Sequence, residues 1–110
     1  MAKDAIARVI TFLGAALRES GLKVEKLILF GSHAHDEARR DSDIDIAIVS
    51  PDFKDKDIFD RSKLIMKAEM ATVEKFIVPL DLVMLTPEEY ESRSSPIASF
   101  VHDGEEIAAR

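Results

Sequence analysis

The chain contains no cysteine. That excludes disulfides and thiolate metal sites, and leaves oxygen atoms as the ligands for any metal. It also lacks any apolar run near the ~20 residues that a membrane-spanning helix needs. At the N-terminus Lys3, Asp4 and Arg8 interrupt what would have to be the apolar core of a signal peptide. Positive charge is the scarcer sign: 15 Lys and Arg stand against 21 Asp and Glu, a formal net charge of −6. Broad nonspecific binding to nucleic acid needs a basic surface, so this balance argues against it. It does not exclude one nucleotide held through a metal. No internal repeat, low-complexity segment or linker is found. A soluble cytoplasmic protein with no membrane association is the expectation. At 110 residues the chain is long enough for one hydrophobic core and not for two, so a single domain over 1–110 is expected.

What is present alternates between helical and strand patterns. Ile6, Val9, Ile10, Leu13 and Leu17 repeat at helical spacing and predict an amphipathic helix over 4–20, closed by Gly21. Residues 26–30 predict a short buried strand, and 33–42 a polar loop whose first half could open a short helix at Ser32. A second strand is expected over 43–49, ended by Ser50-Pro51-Asp52. A charged loop over 53–57 leads to a helix over 58–76. Its buried stripe is expected to be Phe59, Met66, Met70 and Val73, widened by Ile58 and Ile65, with the methionines as core filler. Leu80-Asp81-Leu82-Val83-Met84-Leu85 has strand length. Thr86-Pro87-Glu88-Glu89 starts a helix, with a Thr cap, Pro at the first position and acids in the first turn. A last short helix carries Ile97, Phe100 and Val101, Gly104 turns the chain, and Ile107 is the final residue with a reason to be buried. The fold class expected is α/β (α+β): a mixed sheet of three or four strands with helices mainly on one face.

Three aspartates sit where apolar residues belong. Asp43 and Asp45 are two apart, so on a strand both carboxylates share a face, roughly 6.5–7 Å apart at the backbone. Asp81 interrupts another apolar strand. If that strand pairs beside 43–49, its carboxylate reaches the same face. Two unit charges ~4 Å apart repel by about 4 kcal/mol at an effective dielectric of 20, so a cation between them is the natural complement. Hard oxygen donors suit Mg²⁺ held jointly with substrate phosphates. Gly31-Ser32 supplies the other half. A glycine turn between strand and helix exposes backbone N–H groups to an anion, and the serine hydroxyl adds a donor.

Gly31-Ser32, ten residues, then Asp43-Ile44-Asp45 resembles the Gly-Ser…Asp-x-Asp signature of the polymerase-β-like nucleotidyltransferases, with Asp81 as the third carboxylate. Each half of the signature is common; the two at this spacing, each on an apolar strand, are specific. The length and the Ser-Asp-Ile-Asp run resemble the minimal nucleotidyltransferases, antitoxin-type partners of HEPN-domain toxins. The resemblance implies that Gly31 and Ser32 hold the β- and γ-phosphates of ATP and that Asp43 and Asp45 bind two Mg²⁺ ions. Asp81 would bind the catalytic ion and help deprotonate the acceptor. It further implies transfer of AMP to a hydroxyl, in this group a tyrosine of the toxin. Two other functions compete: neutralisation of the partner by binding alone, and transfer to a small molecule such as an antibiotic. Both homo- and hetero-oligomers are compatible with the sequence. Where the family often has a basic residue followed by Gly, this chain has His35 and Asp36, with Arg39 and Arg40 nearby. His33 and His35 are expected as loop residues rather than ligands, and Tyr90, the single tyrosine, as a packing residue.

Overall fold

A computed structural model describes residues 3–31, 34, 43–92 and 95–107. Along them run α1 (Lys3–Glu19), β1 (Lys26–Phe30), β2 (Ile44–Val49), a 3-10 turn (Pro51–Phe53) and α2 (Ile58–Phe76). β3 (Leu80–Leu85), α3 (Pro87–Ser92), α4 (Pro96–His102) and β4 (Glu105–Ile107) follow. The described strands form one sheet in the order β3-β2-β1-β4. β1 is antiparallel to β2 and β4, whereas β2 and β3 are parallel. A parallel pair cannot be joined by a tight turn, and α2 is the crossover.

The sheet divides its side chains by alternation. Leu27 and Leu29, then Ile44, Ile46 and Ile48, meet the expected α1 stripe in the main core, with Leu80, Leu82 and Met84 at its margin. On the other face Ile28, Phe30, Ala47, Val49 and Leu85 pack beneath Val101 and Tyr90. The two long helices thus share one face, as expected. The second face is not wholly open, because α3 and α4 pack on it, with the Phe100 ring of α4 edge-on to that of Phe30, centroids 5.9 Å apart. Tyr90 is a packing residue there, its ring stacked on that of His102 with centroids 4.0 Å apart.

Two expectations are corrected, and one strand had no sequence signal. The stripe expected to bury α2 faces solvent: Phe59 is 75 % exposed, Met66 50 %, Met70 63 % and Val73 38 %, and Ile58 is exposed with them. The sheet side of α2 is Ile65, Ala68 and Thr72. Both sets recur at helical spacing, so periodicity alone could not choose between them. The smaller residues face inward because they let α2 lie close to α1 and the sheet, and the Thr72 hydroxyl donates to the Ala68 carbonyl at 2.8 Å. Phe53, expected in a charged loop, is fully buried, since the Ser50-capped turn swings it under the sheet. The segment after Gly104 is a strand, too short and too acidic to carry a strand pattern. A Cβ at Gly104 would press on the Leu29 carbonyl oxygen and stand 2.9 Å from Phe30 Cβ, so only glycine lets β4 reach the edge of β1.

Candidate active site

Three strand ends meet at one end of the sheet. Gly31 directly follows β1, and Asp45 and Asp81 are each the second residue of β2 and β3. In the register Asp45 stands opposite Asp81 on one side and opposite Phe30 on the other. Adjacent strands lie about 4.8 Å apart, so the Asp45 and Asp81 carboxylates are neighbours on one face. The Ile44 N–H donates to the Pro79 carbonyl at 3.0 Å, which sets this register from its first residue. Asp43 stands one position ahead of β2 and is exposed, as is Asp81, while Asp45 is half-buried. The second strand therefore starts one residue later than expected.

Gly31 has a positive φ of 74°, a conformation in which a side chain is strained. It is also in the tightest contact with the site. A Cβ there would collide with Asp45 Oδ2 and lie 3.0 Å from its Cγ and 3.3 Å from its Cβ. The missing side chain is the space into which the Asp45 carboxylate settles. The Ala34 N–H donates to the Gly31 carbonyl at 3.1 Å, so the chain turns immediately after glycine, as expected. Ser32, His33, His35, Asp36, Arg39 and Arg40 lie outside the described residues, as do Arg93 and Asp41.

Among the described residues no three His, Cys, Asp or Glu side chains are close enough together to hold a metal by themselves. A cation at Asp45 and Asp81 would need further oxygen ligands. That fits Mg²⁺, which characteristically takes one or two carboxylates and completes its shell with water and substrate phosphates. The donor set is all oxygen, and the Gly31 contact leaves the Asp45 carboxylate against bare backbone.

Two features beside Asp81 carried no sequence signal. A groove of about 390 Å³ follows β3 from Asp81 to Leu85, flanked by Ile58, Arg61 and Ile97. Arg61 holds its inner wall, donating to the Met84 carbonyl at 3.0 Å and through both terminal nitrogens to Glu89, at 2.7 and 3.2 Å. The pairing holds the Glu89 carboxyl below the usual carboxylate range, chiefly through the hydrogen bond from Arg61, against an opposing effect of burial. Glu89 also accepts from the Thr86 N–H at 2.8 Å while its own N–H donates to Thr86 Oγ1 at 3.1 Å. This closes the expected cap of α3 as a reciprocal capping box.

The profile of the nucleotidyltransferase domain family matches residues 10–105. Among solved structures, one described as that of a nucleotidyltransferase from Sulfolobus solfataricus is 25% identical, with a TM-score of 0.58, covering 100% of this chain and 91% of that one. A toxin–antitoxin structure with AMP-PNP is 24% identical, with a TM-score of 0.60, covering 100% of this chain and 75% of that one. A mutant of the toxin–antitoxin pair MntA–HpeT is 22% identical, with a TM-score of 0.57 and the same coverage of 100% and 75%. At this identity the last two show a shared fold. No protein of curated function matches.

Proposed function

The chain belongs to the nucleotidyltransferase domain family, and from that premise we propose that it transfers AMP from ATP to a hydroxyl of a partner protein, as the antitoxin of a toxin–antitoxin pair. The observation that carries this reading is the juxtaposition of Asp45 with Asp81 across β2 and β3, beside a positive-φ glycine whose missing side chain leaves room for the Asp45 carboxylate. The toxin–antitoxin neighbours, one of them determined with AMP-PNP, support the choice of nucleotide and of partner. We take the partner to be a HEPN-domain toxin, the acceptor to be a tyrosine, and the compartment to be the cytoplasm. The domain is read as a single unit over 1–110.

Asp45 and Asp81 would offer carboxylate oxygens to Mg²⁺, with Asp43, one position ahead of β2, assigned as a further ligand on the resemblance; the ion's chemistry there is to neutralise phosphate charge and orient the triphosphate. Gly31 and Ser32 would offer backbone and hydroxyl donors to the β- and γ-phosphates. We assign to Asp81, which borders the groove along β3, the role of taking the proton of an acceptor arriving from that side. The acceptor oxygen then forms a bond to the α-phosphorus. The bond from that phosphorus to the bridging oxygen breaks, pyrophosphate leaves with the electron pair, and the proton passes from Asp81 to water. The rest of the acceptor pocket comes from the partner.

The test is incubation with α-labelled ATP, Mg²⁺ and the product of the adjacent gene. Label should appear on the partner and vanish in Asp43→Ala plus Asp45→Ala. Asp81→Ala should lower transfer by about 10²–10⁴-fold while leaving nucleotide binding largely intact. Full neutralisation of the partner by the double variant, with no label in the native protein, would replace this reading with neutralisation by binding alone.

A further inference from the structure

β3 is the outermost strand of the described sheet, with β2 on one side and no described strand on the other. Its backbone groups alternate between the two sides. The Pro79 carbonyl accepts from the Ile44 N–H and the Leu85 carbonyl from the Ser50 N–H, each at 3.0 Å, so the odd-numbered residues face β2. Leu80, Leu82 and Met84 therefore turn their N–H and C=O groups to the outer edge. The Met84 carbonyl is taken, because Arg61 Nη1 donates to it at 3.0 Å. Among the described residues no hydrogen bond reaches the edge groups of Leu80 and Leu82. An apolar edge with unpaired backbone is a template for another strand, and proteins usually cover or block it. Here Arg61 blocks one end and leaves open the two residues that flank Asp81.

The groove along β3 is a second, independent sign. Ile58 and Ile97 stand at its rims, 67 % and 40 % exposed. They belong to α2 and α4, which pack on opposite faces of the sheet. A strand laid about 4.8 Å beyond β3 meets both rims, because its side chains alternate between the same two faces.

We propose that the segment of the partner carrying the acceptor hydroxyl docks on this edge as an added strand, an inference that rests on the transfer reading above. Main-chain hydrogen bonds to Leu80 and Leu82 hold it, and the two apolar rims select its side chains. Pairing also fixes where the acceptor stands. Residues of the added strand opposite Asp81 and Val83 share the face of those two side chains. The Leu82 carbonyl and the Met84 N–H, both turned to the edge, bracket the place opposite Val83. Two strand residues span about 6.5–7 Å, comparable to the reach of a tyrosine side chain, so a tyrosine opposite Val83 brings its oxygen level with Asp81. Its ring then covers Val83, which is half-buried in the chain alone. The Arg61 contact ends the pairing at Met84 and so keeps the docked segment at the Asp81 end of the groove.

The test is Leu82→Pro, which removes an edge donor and leaves the bonds to β2 in place. With α-labelled ATP, Mg²⁺ and the product of the adjacent gene, label on that product should fall by about tenfold or more. Nucleotide binding should persist, read as the rise in melting temperature with Mg²⁺ and a non-hydrolysable ATP analogue. Native-level labelling by Leu82→Pro overturns the proposal and leaves the transfer reading standing. Amide hydrogen exchange of the native chain supplies a readout that needs no variant. The Leu80 and Leu82 amides should exchange fast in the chain alone and slow when the adjacent gene's product and the ATP analogue are added. Unchanged exchange overturns the proposal, even where Leu82→Pro fails to fold. Slowing as the chain alone is concentrated gives the edge to a second copy and overturns it too. Absence of label with the native chain overturns the transfer reading instead, and exchange then decides whether the partner still docks at this edge.

Discussion

Gly31 serves two purposes that a sequence presents as one. The turn after an apolar strand makes a glycine expected, because backbone N–H groups open there to an anion. Its φ of 74° and its contact with the Asp45 carboxylate are what make any side chain there costly. Gly31→Ala should therefore cost about 1–3 kcal/mol in urea unfolding, from backbone strain and the displaced carboxylate together. A double-mutant cycle separates them: in an Asp45→Ala background the penalty should shrink to the strain alone. Equal penalties in both backgrounds would show that the carboxylate yields freely. At this scale the aspartates were legible because each breaks an apolar pattern; their register was not, since no local signal reports which strand lies beside which.

Elements formed nearly as their patterns demanded, and α2 shows where pattern stops. Its limits follow from capping by Asp57, which accepts from the Asp60 N–H at 2.9 Å, and from the turn at Ile77. Its orientation depends on what it packs against. Ile65→Ala should cost about 2–5 kcal/mol in urea unfolding, whereas Met66→Ala should stay within about 0.5 kcal/mol. The reverse ranking would restore the stripe to the core. Helix α3 allows a pH prediction. The Glu89 carboxyl titrates below its unfolded value because Arg61 donates to it. A lowered folded value contributes stability above the unfolded value, near 4.3 for glutamate, and loses it as the pH falls through the folded one. Glu89→Gln should flatten the decline of melting temperature below about pH 4.3, with little change at pH 7 beyond the lost ion pair. An unchanged acid slope would dissociate Glu89 from it.

At the scale of the molecule, one end of the sheet gathers Gly31, Asp45 and Asp81, on the face that α3 and α4 partly cover. A ligand that binds only this arrangement stabilises it by mass action. Mg²⁺ with a non-hydrolysable ATP analogue should raise the melting temperature, with about 2.7 kcal/mol of added stability at a hundred times the dissociation constant. Neither component alone should reproduce the shift, because no three described carboxylates or imidazoles make a complete metal shell. Asp45→Ala should abolish it. A full shift with Mg²⁺ alone would mean that the protein completes the metal shell without nucleotide.

Local chemistry by itself determined most of the elements, the three aspartates and the glycine turn, because helix spacing, strand runs, caps and misplaced acids are all written within a few neighbouring residues. The resemblance to polymerase-β-like nucleotidyltransferases rested on the same stretch, and the match of the family profile to residues 10–105 agrees with it. Only the tertiary structure decided three things. It set Asp45 opposite Asp81, through a parallel pairing that a crossover helix makes possible. It made a strand of Glu105–Ile107, whose partner, the edge of β1, lies far away in the chain. And it turned Phe59, Met66, Met70 and Val73 outward. Each depends on which surfaces meet, and a helix with two apolar sides carries no local mark of which one will be covered.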